Sequence, residues 1–390
     1  MAELLGKRQT QELAFLELSA LRLADVLPQS FERARIARAG TVIFDLTGVP
    51  LFRRLPLAKG RGKVGYADIA VNPVMGEALL GVTSGVNWNQ AELREAAQAA
   101  ARRHRWRFDT IRFVAYSFPK IAAQFLLRGR EVGMLELFSW QPVPEQPQER
   151  ELTEPGNFER WSYVEAAGRS GAARAGRLEE RIGLWRETFT PRRLGAIDMA
   201  RIDRTALSRY VELRPLWETR KLHYTTRDAD HSPCFEVRGQ ETSVWCVGAS
   251  SQMFLEFWRY EYSQTRIANE LGLGTKANPN GLPYNRVGDV PIALEALSSK
   301  AMDVVMHTNP SWSLFRGEIR ANRPLISFVP GHSRAVAGYY SGLLSMAGMP
   351  PFRGLLVYDP WPPNSGAITQ WENFDLQTYQ YAYTAKLPLV

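Results

Sequence analysis

Residues 237–260 read VRGQETSVWCVGASSQMFLEFWRY, and this stretch informs the fold more than any other part of the chain. Small residues follow Cys246, and an amphipathic apolar pattern then predicts a helix that begins at the cysteine. A helix amino terminus offers unpaired N–H groups and positive potential, which stabilise a thiolate and lower the pKa of a thiol. Cys246 is therefore a candidate nucleophile, although most single cysteines are small buried apolar residues.

A glutamine, Gln240, precedes this cysteine by six residues, and Trp245 comes directly before it. Acyl-transfer intermediates carry a developing negative oxygen, which needs hydrogen-bond donors aimed at it. A glutamine side-chain amide is such a donor.

A histidine lies in residues 325–340, which read LISFVPGHSRAVAGYY. His332 stands between two apolar runs of β type, and Gly331 permits a close backbone approach. An imidazole beside a thiol takes the thiol proton and later protonates the leaving amine. The other four histidines, His104, His223, His231 and His307, are expected to have solvated or structural roles.

An acidic residue lies in residues 354–364, which read GLLVYDPWPPN. Asp359 follows a predicted strand and supplies an acceptor that would orient the imidazole. Trp361 comes two residues later. A triad of Cys246, His332 and Asp359 is the resulting prediction.

This order of residues resembles the papain-like cysteine peptidases. The resemblance implies that Gln240 and the Cys246 N–H form the oxyanion hole, and that Trp361 shields the hydrogen bond between the imidazole and the carboxylate. Two departures are that Trp245 precedes the cysteine and that Val247 follows it. The Asp-Pro-Trp sequence and a catalytic domain of only about 155 residues resemble bacterial peptidases of the bacteriocin-leader type.

The first 140 residues predict a separate α+β domain built on an antiparallel sheet. This domain resembles no family that we recognise. Residues 41–52 predict a hairpin, and residues 90–104 predict a helix with Asn87 or Asn89 as its cap. The other predicted strands cover residues 64–71, 78–83, 111–116 and 132–138. The fold class expected for the whole chain is therefore α+β, with a papain-like fold at the carboxyl terminus.

Residues 141–155 are dense in proline and acid, which favours an extended linker. The charged pattern from 158 to 222 predicts a helical connector, in which the Arg-rich residues 169–177 would tolerate a processing cut. The domains expected are 1–140, 141–230 and 231–390. The first would act as a pro-domain or as a substrate-recruiting module.

The composition limits the classes of function. The formal net charge of +8 comes from arginines spread along the chain, with no nucleic-acid motif, so no nucleic-acid partner is expected. No apolar run reaches the length of a membrane span, and no secretory signal is evident, so we expect no membrane partner and a cytoplasmic location. The two cysteines, Cys234 and Cys246, are too few for a disulfide framework. No metal-ligand spacing occurs, and no cofactor is expected.

The function predicted is that of a thiol protease, a hydrolase that cleaves protein or peptide substrates through an acyl-enzyme intermediate. Two alternatives remain open. A deamidase or acyl transferase would use the same triad with a different acyl acceptor or leaving group, and a non-catalytic interaction protein would keep only the fold. The sequence leaves the oligomeric state and the substrate open.

Overall fold

The computed structural model describes residues 4–143 (except 24, 33, 38, 61 and 87), 160–167, 175–176, 178–179, 182–183, 217–222, 235–342 and 353–387. Most of the predicted linker and connector lies outside these residues, as do Cys234, His223 and His231. The Arg-rich residues 169–177 also lie outside them, apart from 175 and 176.

Seven helices have bounds within the described residues, and residues 175–176, 178–179 and 182–183 are also helical. The seven are α1 (Lys7–Leu23), α2 (Gln90–Arg103), α3 (Tyr163–Ala167), α4 (Cys246–Phe257), α5 (Gln264–Glu270), α6 (Asp289–Leu297) and α7 (Trp312–Arg320). Helix α2 is capped by the Asn89 side chain, which accepts a hydrogen bond from the Ala91 N–H.

Seventeen strands occur in the described residues. Those before residue 140 are β1 (Arg35–Ile36), β2 (Thr41–Phe44), β3 (Pro50–Lys59), β4 (Gly62–Ala70), β5 (Leu79–Ser84), β6 (Thr110–Ser117), β7 (Lys120–Leu127) and β8 (Arg130–Glu136). The others are β9 (Trp217–Lys221), β10 (Gly274–Thr275), β11 (Asn278–Pro279), β12 (Asp303–Thr308), β13 (Leu325–Val329), β14 (His332–Gly342), β15 (Arg353–Asp359), β16 (Ala367–Asn373) and β17 (Tyr381–Lys386).

Fifteen of these strands form one large sheet in the described part of the chain. Its main path runs β12-β17-β13-β14-β15-β16-β5-β4-β3-β2-β6-β7-β8, with β1 beside β3 and β9 beside β14. Every pairing in it is antiparallel except that of β2 with β6. The α+β class with an antiparallel sheet is thus confirmed.

The sheet is continuous between the amino-terminal and carboxyl-terminal regions. Strands β5 and β16 pair antiparallel, with Thr83 opposite Thr369. The Gln370 side chain adds a 3.0 Å hydrogen bond to the Ser84 hydroxyl across the same junction. Because backbone ladders join the two regions, the strands of the first 143 residues belong to the same sheet as the strands that carry His332 and Asp359.

Two strands occur where the sequence predicts otherwise. Trp217–Lys221 extends the sheet beside β14, although its charge pattern predicts a helix. Lys120–Leu127 forms β7, for which no strand is predicted. Both segments gain backbone hydrogen bonds from neighbouring strands, and such tertiary pairing overrides local preference.

Helices cover the sheet around the predicted catalytic residues. Helix α4 packs across β14 and β13, so that the cysteine helix lies against the histidine strand. Helix α4 also joins a second apolar core with α5, α6 and β13, which includes Trp245, Phe254 and Leu294. These two contacts fix where the amino terminus of α4 lies.

Candidate active site

His332 and Asp359 meet across two neighbouring strands. His332 is the first residue of β14 and Asp359 is the last residue of β15, and these strands are antiparallel. The His332 Nε2 atom lies 2.8 Å from Asp359 Oδ1. Both side chains are almost fully buried. The strand ends therefore bring together two of the predicted triad residues.

A two-residue turn sets the position of His332. Pro330 and Gly331 join β13 to β14, and Gly331 has a φ of 70°, the left-handed conformation that glycine adopts without steric cost. The Gly331 N–H donates to the Tyr284 hydroxyl oxygen at 2.7 Å, and the Pro330 carbonyl accepts a 2.5 Å hydrogen bond from the Ser117 hydroxyl. The turn is thus held from both sides.

The second imidazole nitrogen of His332, Nδ1, is buried and has no hydrogen-bond partner among the described residues. Burial lowers the pKa of His332 below 6.5, and the Asp359 carboxylate opposes this effect. The positive charges of Lys120 and Arg334 lower that pKa further. The lowered pKa favours the neutral imidazole. With Nε2–H donated to Asp359, the Nδ1 lone pair is available to accept a proton.

Cys246 is the first residue of helix α4. The residue before it, Trp245, occupies the cap position but provides no side-chain cap, and the first intrahelical bond runs from Ala249 N to Trp245 O. The N–H groups of a first helical turn have no intrahelical acceptor, so this end of α4 favours negative charge. The Cys246 side chain is partly exposed.

Cys246 and His332 line the same cleft. Gly281, Leu282 and Tyr284, which lie between β11 and α6, form one wall of this cleft. The remaining lining is mostly apolar and includes Val244, Val247, Val287, Phe328 and Val329. This lining would therefore accommodate an apolar group of a bound molecule beside the cysteine.

Gln240 is fully buried and is joined to the segment that follows Asp359. Its N–H donates to Pro360 O at 2.9 Å, and its carbonyl accepts from Asn364 N at 2.8 Å. The Gln240 side-chain Nε2 donates to Thr242 O at 2.8 Å, while Oε1 has no partner in the described part of the chain. One of the two Nε2 hydrogens is thus already used, and the second is what an oxyanion could receive.

The two predicted supporting tryptophans have different surroundings. The Trp361 N–H donates to Asp359 Oδ1 at 2.8 Å, and its indole is buried. The Trp245 indole Nε1–H donates instead to Leu273 O at 3.0 Å within the apolar core of α4 to α6. Trp361 thus contacts the triad carboxylate, whereas Trp245 anchors the start of the cysteine helix.

The sequence did not identify Tyr284 or Ser117 as site residues. Each fixes the turn before His332 through one hydrogen bond to the backbone, at a sequence separation of 47 and 213 residues respectively. The only local signal was the Pro330-Gly331 dipeptide, which indicates a tight turn. Among the described residues, no group of three or more histidine, cysteine or acidic side chains could hold a metal ion.

The family comparison concerns the carboxyl-terminal region. Residues 234–387 match the model of the Peptidase_C39 like family, which covers less than half of the chain. The resemblance of the carboxyl-terminal region to a cysteine peptidase is thereby confirmed, and this region is of cysteine peptidase type.

Among solved structures, a similar one is UfSP from C. elegans, with 11% sequence identity and a TM-score of 0.25. The alignment covers 76% of this chain and 54% of the UfSP chain, so it spans about half of that protein's length. Comparison with curated proteins gave no match. No helix in the described ranges is long and apolar enough to cross a membrane.

Proposed function

We propose that this protein is a cysteine peptidase in which Cys246 attacks the peptide carbonyl, His332 transfers the proton and Asp359 orients the imidazole. The observation that carries the proposal is the hydrogen bond of 2.8 Å between His332 Nε2 and Asp359 Oδ1. This bond leaves Nδ1 of the imidazole as the acceptor, in a cleft that Cys246 also lines.

The reaction begins when the Cys246 thiol transfers its proton to His332 Nδ1 and the sulfur attacks the carbonyl carbon. The resulting oxyanion receives hydrogen bonds from the Cys246 N–H and from the second Nε2 hydrogen of Gln240. The C–N bond then breaks as His332 returns its proton to the leaving amine. Water, deprotonated by His332, hydrolyses the thioester and regenerates the thiol.

The neutral state of His332 is consistent with its role as a base. Burial lowers the pKa of His332 even with the Asp359 carboxylate beside it. A thiolate formed at Cys246 would add a second negative charge and raise the pKa of the imidazole. The imidazolium is thus stabilised when the nucleophile forms, and Asp359 helps to hold it.

The test is covalent labelling of the full chain with an epoxide inhibitor of papain-like enzymes, followed by peptide mass spectrometry. We expect one equivalent of label on Cys246. Cys246→Ala should abolish labelling, and Cys234→Ala is the matched control that should leave it intact. His332→Gln should slow the labelling by at least about 10²-fold, because the thiol loses its base.

A folded protein whose Cys246 reacts no faster than Cys234 would refute the proposal. Circular dichroism and thermal melting of each variant separate a loss of chemistry from a loss of fold. Peptide cleavage is the expected activity with a mixture of unstructured proteins. Release of ammonia without chain cleavage would instead identify a deamidase that uses the same residues.

Self-processing of the chain and a cytoplasmic location remain parts of the proposal. Two cysteines are too few for a disulfide framework, which fits a reducing compartment such as the cytoplasm. Self-processing would be seen as shortening of the purified wild-type chain that does not occur in Cys246→Ala.

A further inference from the structure

We propose that the amino-terminal region is part of the catalytic centre, in which Ser117 and Phe138 act as positioning residues for His332 and Asp359. This inference rests on the proposed function and adds residues to the same site. It differs from the pro-domain hypothesis, because a segment that positions the triad is needed for activity and its removal would abolish activity.

Ser117 ends strand β6 and is fully buried. Its hydroxyl donates to the carbonyl of Pro330, the residue that opens the turn before His332. The partner on the other side of this turn, Tyr284, belongs to the carboxyl-terminal region. The backbone entering the histidine strand is therefore fixed by one hydrogen bond from each region.

Phe138 contacts the other half of the His332–Asp359 pair. Its ring lies edge-on to the Trp361 ring, with centroids 5.3 Å apart and an interplanar angle of 71°. Trp361 in turn donates its backbone N–H to Asp359 Oδ1. A shift of the Trp361 ring would therefore move the donor that fixes the carboxylate.

The backbone at Phe138 supports a positioning role. Phe138 has a φ of 78°, in the left-handed region that costs a non-glycine residue on the order of 1 kcal/mol or more. Such a conformation persists only where the surroundings hold it. Phe138 is held by the edge of Trp88 as well as by Trp361, and the Arg54 guanidinium lies over the Trp88 ring.

A charge from the amino-terminal region also acts on the imidazole. Lys120 opens strand β7, is almost fully buried and lies over the Tyr116 ring at 4.9 Å. Three charged groups affect the pKa of His332 besides its burial: Asp359 on β15, Arg334 on β14 and Lys120. The amino-terminal region therefore contributes one of the charges that keep the imidazole neutral.

The experiment measures the rate of alkylation of Cys246 by iodoacetamide between pH 4 and 9 in the full chain. The variants are Ser117→Ala and Phe138→Leu. The matched controls are Ser298→Ala, which removes another buried serine bonded to a carbonyl, and Phe108→Leu, which removes an edge contact to Phe125. Melting temperatures of all four variants accompany the rates.

Wild-type Cys246 is expected to react at pH 6 far faster than glutathione does. Ser117→Ala and Phe138→Leu should each slow the reaction at pH 6 about fivefold or more and move the midpoint of its pH profile upward. The two controls should lower the melting temperature by a similar amount and leave the profile unchanged. Ser117→Thr, which keeps the hydroxyl, should restore the wild-type profile.

Two failures are distinguishable in this design. If wild-type Cys246 reacts no faster than glutathione, the proposed function itself is wrong. If wild-type Cys246 is activated but Ser117→Ala and Phe138→Leu keep its profile within twofold, the proposed function stands and the positioning role is wrong. A change of the same size in the control variants would also overturn the positioning role, since it would follow from lost stability alone.

Discussion

Replacing Asp359 by asparagine and by alanine separates two requirements of the site, an acceptor oxygen and a negative charge. Asp359 Oδ1 receives two hydrogen bonds, from His332 Nε2 and from the Trp361 N–H. Because the Trp361 N–H needs an acceptor, an asparagine side chain here would turn its oxygen toward this point. The Asp359→Asn variant would thus keep His332 in the tautomer that protonates Nε2, while the Asp359→Ala variant would release it.

The sizes of the two effects follow from these contacts. A hydrogen bond to a charged acceptor contributes about 1.5–3 kcal/mol, and a neutral one contributes about half of that. Asp359→Asn should therefore lower kcat/KM about tenfold. Asp359→Ala also leaves the buried imidazole N–H of His332 unpaired and free to rotate, so we expect a loss of about 10²–10⁴-fold.

The assay compares kcat/KM on one peptide substrate, with the epoxide labelling rate of Cys246 as a second readout. Thermal melting of both variants checks that each is folded. Equal losses in the two variants would mean that the charge of Asp359 matters and its geometry does not. Full activity in Asp359→Ala would refute its role as the orienting residue.

Three further predictions concern the oxyanion donor, the buried histidine and a buried ion pair. Gln240→Ala should lower kcat by about 10²–10³-fold with little change in KM, and an unchanged kcat would exclude Gln240 from the oxyanion hole. Because burial lowers the pKa of His332, the free energy of unfolding that the neutral imidazole contributes is present above pH 6.5. This contribution is lost as the pH falls below that value. His332→Gln should therefore lose less free energy of unfolding between pH 7 and 5 than wild type. Parallel curves for His332→Gln and wild type would contradict this. Arg54 pairs with Asp68 at 2.8 Å, and both side chains are buried. Arg54→Met should therefore lower the free energy of unfolding in urea by about 3–5 kcal/mol, and the double variant Arg54→Met with Asp68→Leu should recover most of this loss. A double variant no more stable than Arg54→Met would argue against an unpaired buried charge as the cause.

The elements that carry the candidate site residues have local signals in the sequence. The helix from Cys246, the Pro330-Gly331 turn before a strand and the strand that ends at Asp359 each have a local signal in small residues, turn residues or apolar periodicity. The pairing of β14 with β15 then brings His332 to Asp359. Consecutive strands commonly lie next to each other in a sheet, and the antiparallel pairing places the start of β14 beside the end of β15.

The parts of the site that depend on distant segments could not be predicted. The contact of Ser117 with Pro330 and the ladder between β5 and β16 join residues more than 200 positions apart. Ser117 and Phe138 have ordinary sequence surroundings, with no local signal that links them to His332 or Asp359. Strand β7 also depends on its neighbours β6 and β8, so its apolar run alone did not identify it.

The most direct test of the central claim is detection of an acyl-enzyme. The full chain is mixed with a panel of activated amino-acid esters and quenched in acid within seconds, and the modified peptide is identified by mass spectrometry. We expect one acyl group on Cys246 as a thioester that hydroxylamine removes, with slower acylation in His332→Gln and none in Cys246→Ala. Acylation no greater in the native protein than in the heat-denatured one, or confined to other residues, would contradict a catalytic Cys246.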